Sequence, residues 1–195
     1  MKPSGKIRIT GGNWRGRSLS FPDSPGLRPT PDMARQRLFN WLGQDLAGLE
    51  CLDLFAGSGA LGFEAASRGA ARVVMVERDP AACAAIQRNC ESLQAGMVEC
   101  RRMDVMAWLA GATTSGRTFD LVLVDPPYAM LVQEQVLMRL PVLLKPGALV
   151  YVEHDGTLQL PAGWSVWREN HTGHAHYCLA MHTASQTADT EQESI

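Results

Sequence analysis

The chain has 195 residues, 46% of them hydrophobic, and a net charge of −2, which suits one domain of ordinary size with a substantial core. No apolar run approaches the ~18 residues of a membrane span, and the start, Met1-Lys2-Pro3-Ser4-Gly5-Lys6, lacks the apolar stretch of a secretion signal. The five cysteines (Cys51, Cys83, Cys90, Cys100, Cys178) form no CxxC pair and sit mostly in apolar context, which predicts reduced core thiols in a cytoplasmic protein and no metal site.

The charge is unevenly spread. Residues 1–41 carry eight basic side chains (Lys2, Lys6, Arg8, Arg15, Arg17, Arg28, Arg35, Arg37) against two acids, a balance of +6, and the remainder carries −8. Six of the eight are arginine, whose planar fork suits phosphate. A basic segment on an acidic body is the electrostatic footprint of a nucleic-acid partner.

In chain order, Ile7 and Ile9, then Leu19 and Phe21, alternate around Gly11-Gly12-Asn13-Trp14-Arg15-Gly16-Arg17 and predict a small hairpin. Pro22 to Pro31 is a loop. Thr30-Pro31-Asp32 is a helix start: an N-cap, a proline at the first helical position and an acid in the first turn. That helix is expected to run to about Leu46, with Ala34, Leu38, Trp41 and Leu42 on its apolar face and Arg35 elsewhere. A strand–helix alternation then begins. Strands are expected at Cys51–Phe55, Arg72–Glu77, Val98–Met103, Phe119–Val124 and Ala148–Glu153. Helices are expected at Leu61–Arg68, Pro80–Leu93, Val105–Ala110 and Leu131–Leu144. Ser165–Asn170 and His176–His182 read as a closing antiparallel pair, and the tail from Thr183 is polar. Repeated βα units with near-continuous apolar strands predict an α/β fold, a mostly parallel sheet with helices on both faces.

Two stretches carry chemistry. Asp53 to Gly62 leaves the first strand of the series and opens a helix, and Gly57-Ser58-Gly59-Ala60-Leu61-Gly62 satisfies GxGxxG. Glycines let the backbone approach a ligand, and the helix start offers free N–H groups. Glu77 ends the next strand, where a carboxylate grips ribose hydroxyls. A nicotinamide dinucleotide fits that much. Asp53 repels a pyrophosphate and attracts an ammonium or sulfonium, and Asp104, after the third strand, suits an adenine amine with Val105 donating its N–H. An ordinary helix N-cap is the other reading of Asp104. The second stretch is Asp125-Pro126-Pro127-Tyr128, at the end of Phe119–Val124. It joins a carboxylate, a rigid turn poor in backbone donors and an aromatic ring, which suits a planar group with an exocyclic amine. The grouping of His171, His174 and His176 invites a metal reading, but HxxHxH on a strand puts only two on one face, so a structural or surface role is expected.

These parts resemble the class I S-adenosylmethionine-dependent methyltransferases, and more narrowly the bacterial family that methylates guanine N2 in 16S rRNA. The likeness runs from about residue 6 to 181. It rests on Ile9–Arg17, on Gly26–Asp32 with Leu38–Leu42, on Asp53–Gly62 and on Asp125–Tyr128. Gln36, Asn170 to Thr172 and Cys178 depart from the family's usual residues. The resemblance implies a Rossmann-like domain over 31–182, preceded by a basic RNA-contacting hairpin and loop over 1–30 and followed by a polar tail, 183–195. It implies S-adenosylmethionine held by Asp53, Phe55, Ala56, Gly57, Ser58, Gly59, Glu77, Arg78, Asp104, Val105 and Asp125. It implies catalysis by Asp125, Pro126, Pro127 and Tyr128, and 16S rRNA, within a 30S subunit or an assembly intermediate, bound through Trp14, Arg15, Arg17, Arg28, Thr30 and Arg35. No metal, membrane or obligate protein partner is expected. The residues alone leave open another planar amine (adenine N6 in DNA, or a protein glutamine), a dinucleotide-dependent oxidoreductase, and a non-enzymatic RNA-binding assembly protein.

Overall fold

The computed structural model describes residues 4–22, 32–112, 116–127, 130–172 and 175–183. It divides into two compact units, Met1–Val105 and Met106–Ile195. No helix among the described residues is long and apolar enough to cross a membrane.

The first unit opens with a hairpin, β1 (Ser4–Arg8) and β2 (Ser18–Pro22), paired antiparallel with Ile7 opposite Leu19. Its alternation buries Ile7, Leu19 and Phe21, and Ile9 beyond β1 is buried too. Helix α1 (Asp32–Trp41) follows. It stops five residues before the expected Leu46 because Gly43 and Gln44 take left-handed backbone angles (φ 83 and 69). Their amides turn back onto Asn40 and Phe39 carbonyls at 3.3 and 2.9 Å. Then come β3 (Glu50–Asp53), α2 (Ala60–Ser67), β4 (Arg72–Glu77), α3 (Pro80–Leu93) and β5 (Val98–Arg102). The strands run parallel in the order β5-β4-β3. Val73 to Val76 are buried in succession on β4, so both faces of the sheet are covered there, as the unbroken apolar run requires.

Helix α4 (Val105–Ala112) leads to the second unit, which holds β6 (Phe119–Val124), α5 (Gln133–Arg139), a 3-10 turn (Pro141–Leu143), β7 (Leu144–His154), β8 (Trp164–Thr172) and β9 (Ala175–His182). Pro141 ends the expected Leu131–Leu144 helix early, since a proline in the last turn has no N–H to donate. β6 and β7 run parallel, and β9 lies antiparallel between β7 and β8. The seven strands thus make the mostly parallel, Rossmann-like arrangement with an antiparallel C-terminal pair.

Helix α2 is the most deeply set element of the first unit, with all eight of its residues buried, Glu64 among them. A buried carboxylate must be partnered. Glu64 takes the Thr10 amide on Oε1 at 2.5 Å and lies 3.3 Å from the Arg68 guanidinium and 3.6 Å from Arg35 Nε. Arg68 also stacks over the Phe39 ring and donates to Gln44. Ser67 donates its hydroxyl to the Gly11 carbonyl at 2.6 Å and accepts from the Trp14 amide at 2.9 Å, while its carbonyl takes the Asn13 amide at 2.7 Å. Gly12 sits against that carbonyl with φ 72, and any Cβ there would collide with it. On the other side, Asn89 of α3 exchanges two hydrogen bonds with the Ser20 backbone of β2, at 3.1 and 3.0 Å. The hairpin is therefore bolted to α2 and α3.

This network corrects the expectation for Arg35. The side chain is 1% exposed and belongs to the buried face of α1 with Ala34, Leu38 and Phe39. Its Nη2 donates to the Arg8 carbonyl at 2.7 Å and to Asp32 at 2.8 Å. Its charge serves the ion cluster on Glu64, away from the surface. Removing one member of a buried ion cluster strands the others, at a cost of ~3–5 kcal/mol. Glu64→Ala is expected to lower the urea midpoint by that equivalent and to open the 10–14 segment to limited proteolysis before the rest of the chain unfolds. An unchanged midpoint would contradict the role given to Glu64.

Candidate active site

In the first unit, the parallel register (Asp53 beside Met75, Glu77 beside Arg102) brings the C-terminal ends of β3, β4 and β5 to one edge. Three of the predicted cofactor segments leave the sheet there: Phe55 to Gly59 after β3, Glu77 and Arg78 at the end of β4, and Asp104 and Val105 after β5. The loop after β3 is tightly drawn. Gly59 (φ 78) caps α2, and its amide reaches the Ala56 carbonyl at 2.6 Å. A Cβ at Gly59 would meet the Phe63 ring at 2.8 Å, and one at Gly62 would collide with the Met75 side chain. Both glycines are there for close approach, the first for the turn and the second for packing α2 on the strands.

Glu77 joins two of these loops. Its Oε2 accepts from the Gly57 amide and its Oε1 from the Asp79 amide, each at 2.8 Å. Asp79 then caps α3 by accepting from the Ala81 amide at 2.8 Å, with Pro80 at the first helical position. The Glu77 carboxylate is half-buried, so it has lone pairs left for a hydroxyl donor outside. Arg78 and Asp104 are exposed, and Val105 is buried at the start of α4.

Asp53 lies beneath the loop, 1% exposed. Its Oδ2 accepts from the Gly62 amide in the first turn of α2 at 3.1 Å, and its Oδ1 has no hydrogen-bond partner among the described residues. Burial pushes its carboxyl up to about 7, with the Glu77 charge adding to the rise and the amides of Gly62 and Phe55 opposing it. An incompletely satisfied buried carboxylate under a glycine loop suits a cationic ligand head group, whose charge would offset that burial.

The second unit carries the Asp-Pro-Pro turn at the end of β6. Asp125 is half-buried, Pro126 buried and Pro127 exposed. Tyr128, Arg28 and Thr30 lie outside the described residues. The Pro127 carbonyl is taken by the Met130 amide at 2.8 Å. In this chain Asp45, Asp79 and Asp155 each accept from the amide two residues on. At Asp125 the next two residues are prolines, so the local turn offers no such donor. Tyr151 is buried nearby and its phenol is held far above its usual range, first by burial and then by the charges of Glu153 and Asp125. Tyr151 reaches Glu153 at 3.4 Å and Gln133 donates to the Glu153 carbonyl at 3.2 Å.

Of the predicted RNA contacts, Arg15 and Arg17 are exposed on the hairpin turn, where Arg17 donates to the Ser92 carbonyl at 3.0 Å. Trp14 is half-buried, and its amide anchors the turn to Ser67. Sequence reasoning missed Glu64 and Arg68. The signal was available: Glu64 is the one acid in the otherwise apolar run Ala60-Leu61-Gly62-Phe63-Glu64-Ala65-Ala66.

The Asp53 geometry has a pH signature. A carboxyl raised from its ordinary 3.8 to about 7 on folding binds its proton more tightly in the folded state. Its contribution to stability is full below the unfolded value and is lost as the pH rises through 7. Asp53→Asn keeps an acceptor for Gly62 without the buried charge, so its urea midpoint should exceed the wild-type midpoint by more at pH 8 than at pH 5. A gap that does not widen with pH would contradict the placement of Asp53.

The comparisons with known proteins agree with this architecture. The family model described as Conserved hypothetical protein 95 matches residues 7–181. The chain is 42% identical over 193 residues to ribosomal RNA small subunit methyltransferase D of Escherichia coli strain K12, covering 96% of both. It is 40% identical over 184 residues to the protein of the same name from Haemophilus influenzae, covering 90% of this chain and 93% of that one. The solved structure of Escherichia coli yhhF superposes with a TM-score of 0.83 at 40% identity, over 92% of this chain and 99% of that one. A T. thermophilus 16S rRNA N2 G1207 methyltransferase, solved with AdoMet and guanosine, shares the fold at a TM-score of 0.70 and 22% identity, over 92% of this chain and 50% of that one. A near-full-length family match and relatives this similar place the chain in the Conserved hypothetical protein 95 family, the family of these ribosomal RNA small subunit methyltransferases D.

Proposed function

We propose that this chain is an S-adenosylmethionine-dependent methyltransferase of small-subunit rRNA, and that it methylates the exocyclic N2 of one guanine, position 966. The 42% identity to a protein named for that class of substrate, across 96% of the chain, supports the substrate. The observation that supports the amine chemistry is the Asp-Pro-Pro turn at the end of β6, whose Asp125 is a half-buried carboxylate.

S-adenosylmethionine supplies an electrophilic methyl group on a sulfonium. Glu77 would hold its ribose hydroxyls and Asp104 its adenine amine, with the Val105 N–H as a further donor, and the Phe55–Gly59 loop would supply the backbone of the pocket. Asp53 would act on it through its charge, and Arg78 would lie among the residues that hold it.

Guanine N2 is a weak nucleophile because its lone pair is delocalised into the ring. Asp125 and the Pro126 carbonyl accept its two hydrogens, which favours a pyramidal nitrogen and aims its lone pair at the methyl carbon. Pro127 keeps the turn rigid, and Tyr128 stacks on the base, which is unpaired or flipped out. Much of the rate comes from holding nitrogen, carbon and sulfur in line. The N–C bond forms as the C–S bond breaks. The amine proton, acidic by then, passes to Asp125 or to water. Arg15 and Arg17, with Arg28 and Thr30 of the following loop, dock the RNA backbone, with Trp14 beside them. The target is presented within a 30S particle or an assembly intermediate.

Asp125→Ala should abolish methyl transfer to small-subunit particles, with cofactor affinity by calorimetry staying within about threefold of wild type, since binding and chemistry then separate. Comparable turnover in that variant would remove Asp125 from the mechanism.

A further inference from the structure

The second unit carries a row of three imidazoles that the methyl transfer does not use. His154 closes β7, His176 pairs with it from β9, and His171 pairs with His176 from β8. The His154 and His176 ring centroids are 5.6 Å apart, and those of His171 and His176 are 5.4 Å apart and stacked at 25°. With Glu169, Asn170 and Tyr177 they line an open cavity of about 430 Å³. The rings are half-buried or exposed and fill no core.

The place of the row is informative. β6 and β7 run parallel with Val124 beside Val152, so Asp125 and His154 leave neighbouring strand ends at the same edge. From there the row steps outward strand by strand, at the ~4.8 Å spacing of a sheet. A polymer whose base enters the Asp125 turn has its adjoining backbone at this edge.

The chemistry selects an anion. Imidazolium N–H groups are charge-assisted donors to phosphate oxygens. The Gly156 amide donates to His154 Nδ1 at 3.1 Å, which leaves Nε2 as that ring's donor. The acids acting on the row are Glu169 of β8 and Asp155 after β7, and the Tyr177 phenol pairs with Thr172 at 3.3 Å. Burial and the neighbouring His176 hold His154 below its ordinary value, in keeping with a neutral ring whose Nδ1 accepts from Gly156. The rings are stacked, and no three ligating groups among the described residues converge on a metal position.

We propose that His154, His171 and His176 form a subsite for the phosphodiester backbone beside the target nucleotide, in which His154 donates its Nε2–H and His171 and His176 take up protons when RNA binds. The proposal rests on the RNA-methylation reading above. It predicts that RNA binding tightens as the pH falls through the histidine range.

The test is fluorescence anisotropy of a small-subunit rRNA fragment carrying the target guanine, with the full chain and no cofactor, at pH 6 and pH 8. Wild type should bind roughly tenfold tighter at pH 6, the scale of one charge-assisted contact. In His171→Gln/His176→Gln that ratio should fall below about twofold. His171→Lys, permanently charged, should bind more tightly than wild type at pH 8. A double variant that keeps the wild-type pH ratio, or a lysine variant no tighter than wild type at pH 8, would overturn the subsite. Zinc binding by wild type that is lost in the double variant, with RNA affinity unchanged at both pH values, would also overturn it and make the row a metal site. The methylation reading fails separately: a wild type that transfers no label to small-subunit particles overturns that reading whatever the pH ratio shows.

Discussion

Helix α2 is fixed at both ends, and the function proposed for the first unit depends on that. At its first turn the buried Asp53 carboxylate takes the Gly62 amide. At its last turns Glu64, Ser67 and Arg68 hold the hairpin by Thr10, Gly11, Asn13 and Trp14. Eight residues thus couple the glycine loop proposed to receive the methyl donor to the arm proposed to present arginines to RNA. Burial makes the coupling stiff, because every polar group on the helix is costly to expose or to leave unpaired. Gly62 suits this close packing, since a Cβ there would meet the Met75 side chain and press on Asp53 Oδ2.

The Asp125 turn is supported differently. Tyr151, Glu153 and Tyr177 form a buried polar layer on β7 and β9, with the two tyrosine rings 6.2 Å apart. The Asp125 charge acts on the Tyr151 phenol of this layer. The two prolines that follow Asp125 have no N–H of their own to offer it. Glu77, which accepts from two amides, ties two loops together.

Much of this was legible in the sequence. Arg72–Glu77, Pro80–Leu93 and Phe119–Val124 were read with the bounds the structure shows, because apolar β-branched runs end at acids and Asp79-Pro80 is a strong helix start. The glycine loop was legible because close approach demands glycine whatever the fold. What escaped depends on partners distant in sequence. Arg35 reads as a solvent-facing cation until folding brings Glu64 beneath it, and then its charge is an internal one. The histidine grouping reads as 171, 174 and 176 along the chain. The row is made instead by His154 from β7 with His171 and His176 across a hairpin, a juxtaposition that strand order alone creates.

The central claim is that the protein carries a methyl group to a guanine amine in small-subunit rRNA. Incubation with methyl-labelled S-adenosylmethionine and 30S particles lacking the modification, followed by mapping of the labelled nucleotide, tests it most directly. The account predicts label on N2 of a single guanine in 16S rRNA. Label in protein or DNA, with none in the rRNA, would contradict it.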